Sequence, residues 1–375
     1  MTIQIDMLKP TEVATLAIRG LYEDFGYKKY RMSRFEEYSL YAANQQFLSD
    51  DKVIIFTDLD GRLLALKPDV TISIIKNTKA TKNSREKVYY LESVFRENKE
   101  SHTFREISQM GLEVLGNVDS YAIIEVLQLA AKSLSLIGKN YLLVLSNMDF
   151  VLGLLESVGI GEESYSQILP LIEGKNNAEL RRALWELNLK EEDISTICSL
   201  TSLYGDCQKT LEIADKMVQN DRMAQAVSIL QEVYQALDCN DMADCLQLDF
   251  SMVNDVDYYN GIIFQGYLEE LPRKVLAGGQ YDGMVKKMGK DAAGIGYAIY
   301  LSDLERMPQT KASYDVEALV LYDTDVDTTE LFQAVLSLRK NGMRVLTERV
   351  VPPEIRYEKL YRFQNGILQE VKKEC

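Results

Sequence analysis

Two short polar pairs stand out in this 375-residue chain: Asp69 with Thr71, and Gln109 with Glu113. On an extended chain, residues two apart point the same way, so Asp69 and Thr71 can jointly accept hydrogen bonds from an ammonium group. Gln109 and Glu113, four apart on a strand, share one face. The amide can orient an amino acid's ammonium, and the carboxylate can accept an imidazole N–H. Each pair has an ordinary reading when taken alone. Pro68-Asp69 is a common turn signal, and alternating polar residues suit a half-buried sheet. The chain holds 22 tyrosines, so Tyr258, Tyr259 and Tyr281 read singly as packing.

Several other chemistries are excluded by count and spacing. There is one histidine, His102, so a multi-histidine metal site is impossible and a Ser-His-Asp triad would have to run through a polar loop. Gly294-Ile-Gly296 lacks the third glycine of a dinucleotide fingerprint. The stretch 283–290 has the wrong spacing for a phosphate-binding loop, and Asp291 follows its lysine in place of Ser or Thr. The five cysteines form no C-x-x-C pair and fit free thiols in a reducing cytoplasm. Neither a secretory signal nor a run of about 18 uninterrupted apolar residues is present. The formal net charge of −15 weighs against a tRNA-binding surface, which needs clustered Lys and Arg.

The elements that would carry these residues can be placed from periodicity and turn chemistry. The spacing predicts a helix over 11–25 with Thr11 as N-cap and Gly26 as stop. It predicts a hairpin of 53–57 with 62–66 around Asp60-Gly61. Strands over 88–95 and 107–115 flank a polar loop, 96–106; a helix over 120–137 and a strand over 141–145 follow. From about 150 to 245 strand signals vanish and short amphipathic helices take over, as in a helical insertion. Strands near 247–250, 261–267 and 274–277 come next, then a glycine-rich turn at Gly278-Gly279 and an apolar segment, 292–304. After a break near Met307-Pro308 the tail reads strand, helix, strand (316–321, 329–340, 344–347), with the last twenty residues a helix or an unsettled tail. Neighbouring hairpins favour an antiparallel sheet flanked by helices, an α+β arrangement. The domains expected are 1–311, including the insertion, and a small α/β unit, 312–375.

Four segments read together resemble class II histidyl-tRNA synthetases. They are Leu66-Lys-Pro-Asp-Val-Thr71, the motif 2 pattern from Val88 to Arg96 and from Arg105 to Gly116, Met252-Val-Asn-Asp-Val-Asp-Tyr-Tyr259, and Ala277-Gly-Gly-Gln-Tyr-Asp-Gly283. The resemblance covers roughly residues 8–306. It implies a class II synthetase-like sheet and a histidine pocket. There Asp69, Thr71 and Gln109 would hold the ammonium, Glu113 and Tyr259 the imidazole, and Arg96, Tyr258 and Tyr281 would line the site.

The departures from that pattern shape the expected function. Asn254 stands where the family's signature arginine is expected, Gln280 replaces the arginine of the glycine-rich segment, and Asp303 falls where motif 3 carries an ATP-contacting arginine. Cations at such places stabilise charge building on the α-phosphate, each worth about 3 kcal/mol or more. A pocket without that chemistry resembles the regulatory subunits of ATP phosphoribosyltransferase. The resemblance implies a chain with no catalytic residues and no cofactor that binds histidine. It would activate the short catalytic subunit of histidine biosynthesis and mediate its feedback inhibition. A cytoplasmic homodimer through the class II core, within a hetero-octamer, is the assembly implied. The alternatives are an active histidyl-tRNA synthetase with divergent motifs and a tRNA-binding module without catalysis.

Overall fold

Apolar residues alternate along 107–115, and the result is a long hairpin at the centre of a large sheet. In the computed structural model, which describes residues 8–48, 52–98, 101–240, 242–253, 258–305 and 314–371, the chain divides into two compact units, residues 1–307 and 308–375. In the first unit helix α1 (Pro10–Asp24) leads to strands β1 (Lys28–Lys29) and β2 (Phe35–Glu37) and helix α2 (Tyr38–Ala42). Strands β3 (Ile55–Thr57) and β4 (Leu63–Leu66) follow, then helix α3 (Thr71–Asn77) and the hairpin β5 (Arg85–Asn98) and β6 (Thr103–Gly116). Helix α4 (Ser120–Ile137) and strand β7 (Tyr141–Asn147) precede the insertion.

The insertion carries helices α5 (Met148–Ser157), α6 (Tyr165–Glu173), α7 (Asn177–Glu186) and α8 (Glu191–Ser199), then α9 (Cys207–Lys216) and α10 (Asp221–Asp238). A short strand, β8 (Tyr204–Asp206), sits among them where only helices were expected. Strands β9 (Leu246–Asp249), β10 (Ile262–Leu268) and β11 (Leu271–Gln280), helix α11 (Asp282–Lys287), strand β12 (Ala293–Tyr300) and helix α12 (Leu301–Leu304) complete the unit.

The main sheet runs β1-β5-β6-β12-β11-β10-β7-β9-β8. Its pairings are antiparallel except β1 with β5 and β7 with β9. Strand period divides β6 cleanly. Met110, Leu112 and Val114 enter the main core with α1, α4, α5 and α10, while Gln109, Gly111 and Glu113 face the other side. That second side is roofed by a smaller core that includes Tyr41, Phe47, Ile72 and Tyr281. Helix α4 begins on Asp119, whose side chain accepts from Ala122 N at 2.9 Å. It is long and apolar enough to cross a membrane by length and composition, yet it lies mostly buried in the main core.

The structure corrects several expectations. Helix α1 starts one residue before the predicted cap: Pro10 occupies the first turn, and Glu12 reaches back to Lys9 N at 2.7 Å in place of a Thr11 cap. The predicted loop 96–106 is mostly strand, because pairing of β5 with β6 continues to Asn98–Thr103. Gly278 and Gly279 form no turn. They lie inside β11, where a Cβ on Gly278 would sit 2.3 Å from the carbonyl oxygen of Gly296 on the neighbouring strand. The predicted break at Met307-Pro308 falls outside the described residues.

The second unit is a four-stranded sheet ordered β14-β13-β15-β16, with helix α13 (Thr328–Lys340) packing through Leu331 and Val335 onto Val320 and Phe363. Strands β13 (Val316–Tyr322) and β14 (Val345–Glu348) are parallel, as a βαβ unit requires. The described part of the last twenty residues, up to residue 371, is neither helix nor unsettled. It forms the antiparallel hairpin β15 (Tyr357–Gln364) and β16 (Ile367–Val371). Asn365 (φ 50°) and Gly366 (φ 77°) supply its two-residue turn, the pattern that an Asn-Gly pair favours.

Candidate functional site

All eight residues singled out above line one cavity of about 270 Å³ on the open side of the main sheet. Four local structures bring them there. The corner after β4 presents Asp69 and Thr71, β5 and β6 present Arg96, Gln109 and Glu113, the segment before β10 presents Tyr258 and Tyr259, and the end of β11 leads into Tyr281.

Glu113 is the centre of the site. It is 2% exposed, and its carboxylate accepts from Thr71 Oγ1 at 2.9 Å and from Tyr281 Oη at 2.5 Å. Burial pushes its pKa up to about 8; the two donated hydrogen bonds work against that shift, and the nearby Asp69 adds to it. Two glycines make room for this arrangement. A Cβ on Gly296 would lie 1.8 Å from Glu113 Oε2, and one on Gly294 would lie 2.2 Å from the Tyr281 ring. These are the same glycines that fail as a dinucleotide motif. Gln109, 3% exposed, makes no side-chain hydrogen bond among the described residues.

Asp69 and Thr71 meet the cavity, though not along an extended chain. Val70 is helical and Thr71 opens α3, where Asp69 Oδ1 accepts from Ile72 N at 3.0 Å and so caps the helix. The other oxygen, Oδ2, accepts from Arg96 Nη2 at 3.2 Å and lies 3.5 Å from Tyr258 Oη. Arg96 also donates through Nε to the Pro68 carbonyl at 2.7 Å. The motif 2 arginine is thus bonded to the corner that carries Asp69. The Tyr258 and Tyr259 rings pack at 4.5 Å, tilted by 46°, with Tyr281 at 6.5 Å from Tyr258.

Of the three positions where the resemblance calls for an arginine, Asn254 lies outside the described residues. Gln280 donates to Asp282 Oδ2 at 2.8 Å, and Asp303 pairs with Arg273 at 3.4 Å. His102 is exposed in the tip of the β5–β6 hairpin with φ 50°, near Glu97. Among the described residues no cluster of His, Cys, Asp or Glu could hold a metal ion. Sequence reasoning missed Phe47, Leu48, Tyr90, Lys274 and Tyr300, which also line the cavity. For the two glycines a signal existed: spaced by two within a strand, they leave one face of the sheet bare.

An arrangement of two carboxyl groups, an amide and tilted tyrosine rings in a small cavity can hold a cationic, planar ligand by hydrogen bonds and ring contacts. Comparison with known proteins agrees with this architecture. A family model described as histidyl-tRNA synthetase matches residues 8–304. The ATP phosphoribosyltransferase regulatory subunit of Clostridium botulinum is 28% identical over 316 residues, covering 81% of this chain and 75% of that protein. A crystal structure described as an ATP phosphoribosyltransferase regulatory subunit/histidyl-tRNA synthetase from Bacillus halodurans has a TM-score of 0.76 at 20% identity, covering 94% of this chain and 93% of the other. A chain of an ATP phosphoribosyl transferase (HisG:HisZ) complex from Thermotoga maritima has a TM-score of 0.61 at 19% identity, covering 76% and 96%. The fold, the order of the pocket segments and the match over most of the chain lead to one conclusion: this chain belongs to the histidyl-tRNA synthetase family and resembles its paralogues, the regulatory subunits of ATP phosphoribosyltransferase.

Proposed function

We propose that the chain is a non-catalytic regulatory subunit of ATP phosphoribosyltransferase. It binds histidine in the cavity around Glu113, activates a short catalytic subunit and returns the complex to low activity when histidine accumulates. One observation supports the reading: the cavity around Glu113 lies on the same sheet as Gln280, bonded to Asp282, and Asp303, paired with Arg273, at positions where the resemblance to the synthetases calls for phosphate-binding arginines. Histidine's ammonium is taken by Asp69, Thr71 and Gln109, and its imidazole by Glu113 and Tyr259. Feedback then requires that histidine bind two states of the complex with different affinity.

The experiment is ATP phosphoribosyltransferase activity of the short catalytic subunit from the same genome, with and without this chain, across a histidine titration. The reading expects activation that histidine reverses. No association and no activation, together with histidine-dependent ATP–pyrophosphate exchange, would replace it with a working synthetase.

A further inference from the structure

The charge inventory of the cavity leaves one group unexplained. Its lining contains two carboxylates, Asp69 and Glu113, and two cations, Arg96 and Lys274. Arg96 is engaged with Asp69 and with the Pro68 carbonyl. The Lys274 side chain makes no hydrogen bond or ion pair among the described residues. Lys274 is exposed at the rim of the cavity; the part of its stem that packs on the sheet lowers its pKa by desolvation, opposed by the charge of Glu173 on α6.

The backbone has a specific device that puts this lysine there. Ala277 lines the cavity and pairs with Gln265, so strict alternation along β11 would bring Val275 to the same face next. The register between β10 and β11 shifts at Gly266 and Tyr267, so that Leu276 pairs with Gly266 and Lys274 pairs with Tyr267. Val275 is the extra residue of this bulge; it and Leu276 are both fully buried in the main core. The bulge turns Lys274 onto the cavity side in place of valine, the kind of re-aiming such irregularities achieve beside binding sites.

We infer that Lys274 receives the α-carboxylate of the amino-acid ligand and so distinguishes an amino acid from an amine that lacks the carboxylate. The inference rests on the histidine reading above and adds to it a group for the one part of an amino acid that the other pocket residues leave unmatched. Asp69, Glu113 and Gln109 suit the ammonium and imidazole, whereas a ligand carboxylate near the Asp69 carboxylate needs a cation to offset their repulsion. The lysine is a mobile point charge on a long stem, suited to close on a carboxylate once it arrives.

Calorimetric titration of the full chain with L-histidine and with histamine, which keeps the amine and imidazole and lacks the carboxylate, tests this directly. In the Lys274→Gln variant the Kd for histidine should rise roughly ten- to hundred-fold while that for histamine stays within about twofold, erasing the preference for the amino acid. Lys274→Arg should restore part of that preference. If Lys274→Gln weakens both ligands equally the lysine is structural, and if it weakens neither it is a solvated surface residue; either result overturns the inference. Binding of neither ligand to the unsubstituted chain would instead remove the histidine reading, and this inference with it.

Discussion

Glutamine at position 113 should impair histidine binding by an amount that grows with pH. Glu113 is 2% exposed, with a pKa near 8, so at pH 6 it is a protonated acid that both donates and accepts. Glutamine reproduces that state in shape and in hydrogen bonding, because the hydroxyls of Thr71 and Tyr281 can turn to suit it. At pH 9 the native side chain is a carboxylate and offers the ligand a charged acceptor, a bond worth about 1.5–3 kcal/mol against about 0.5–1.5 kcal/mol for a neutral one, a difference of about 1–1.5 kcal/mol. That difference corresponds to a Kd ratio, variant over native, of about 5 to 13. At pH 6 the native protein must first lose a proton held about two units above the solution pH, which costs about 2.7 kcal/mol and cancels the advantage.

The assay is isothermal titration with histidine from pH 6 to 9 on both proteins. The ligand's imidazole, with an ordinary pKa of about 6.5, is neutral above about pH 7.5, so the ratio between about pH 7.5 and 9 reports the titration of Glu113. A ratio that is flat across the range, or near one at pH 9, would refute the assignment of Glu113 as the charged acceptor. The same shift has a consequence for the empty protein. Its folded pKa lies above the ordinary carboxylate value, so the fold binds the proton more tightly than the unfolded chain does. The contribution is therefore fully present below the ordinary carboxylate range and is lost as pH rises through about 8. Thermal melting should lose a few kcal/mol of stability from this group over that window. The Glu113→Gln protein should lack that loss.

Further outcomes follow from the same geometry. Gly296→Ala places a Cβ 1.8 Å from Glu113 Oε2 and 2.4 Å from a backbone carbonyl, so it should abolish detectable histidine binding in calorimetry; a variant that binds within about threefold of native would contradict the packing. Lys67 is fully buried and its ammonium meets Glu92 at 2.5 Å. Glu92→Ala strands that charge and should cost about 3 kcal/mol or more in urea unfolding. Lys67→Met, which leaves the partly solvated Glu92, should cost less; the reverse order would be inconsistent with the burial. Gly366→Ala forces an L residue into φ near +77° and should cost about 1–2 kcal/mol, seen as faster hydrogen exchange along 357–371, with unchanged exchange there arguing against the Asn-Gly turn.

Much of this site was legible because its carriers obey strand period. Gln109 and Glu113 share a face of β6, and that follows from spacing alone, as does the α4 helix from Ser120 to Ile137 with Gly138 beyond it. The corner at Asp69 was not legible in the same way. The residue pair was found, but the capping of α3 by Asp69 Oδ1 that turns Thr71 toward Glu113 is a choice between helix and strand, and the short segment 66–72 does not settle it. Gly278 and Gly279 were mistaken for a turn for a related reason. Glycine marks both a reversal of the chain and a place where two backbones must approach, and only the carbonyl of Gly296 on the next strand separates the two.

Lys274 marks the limit of reading from periodicity. Alternation counted back from Ala277 assigns residue 275 to the cavity and residue 274 to the core, the reverse of what the bulge produces. A bulge inserts one residue without a local sequence signature, so every side-chain direction beyond it inverts relative to the pattern. Here the inversion is consistent with chemistry on both sides. Valine enters an apolar core that accepts it completely, and lysine reaches a cavity lined by two carboxylates. Had the strand kept its register, lysine would have been driven into the core and valine into the polar cavity, at a cost of several kcal/mol for the buried ammonium alone. The irregularity is therefore favoured by the sequence that hides it, and the cavity owes its free cation to that preference.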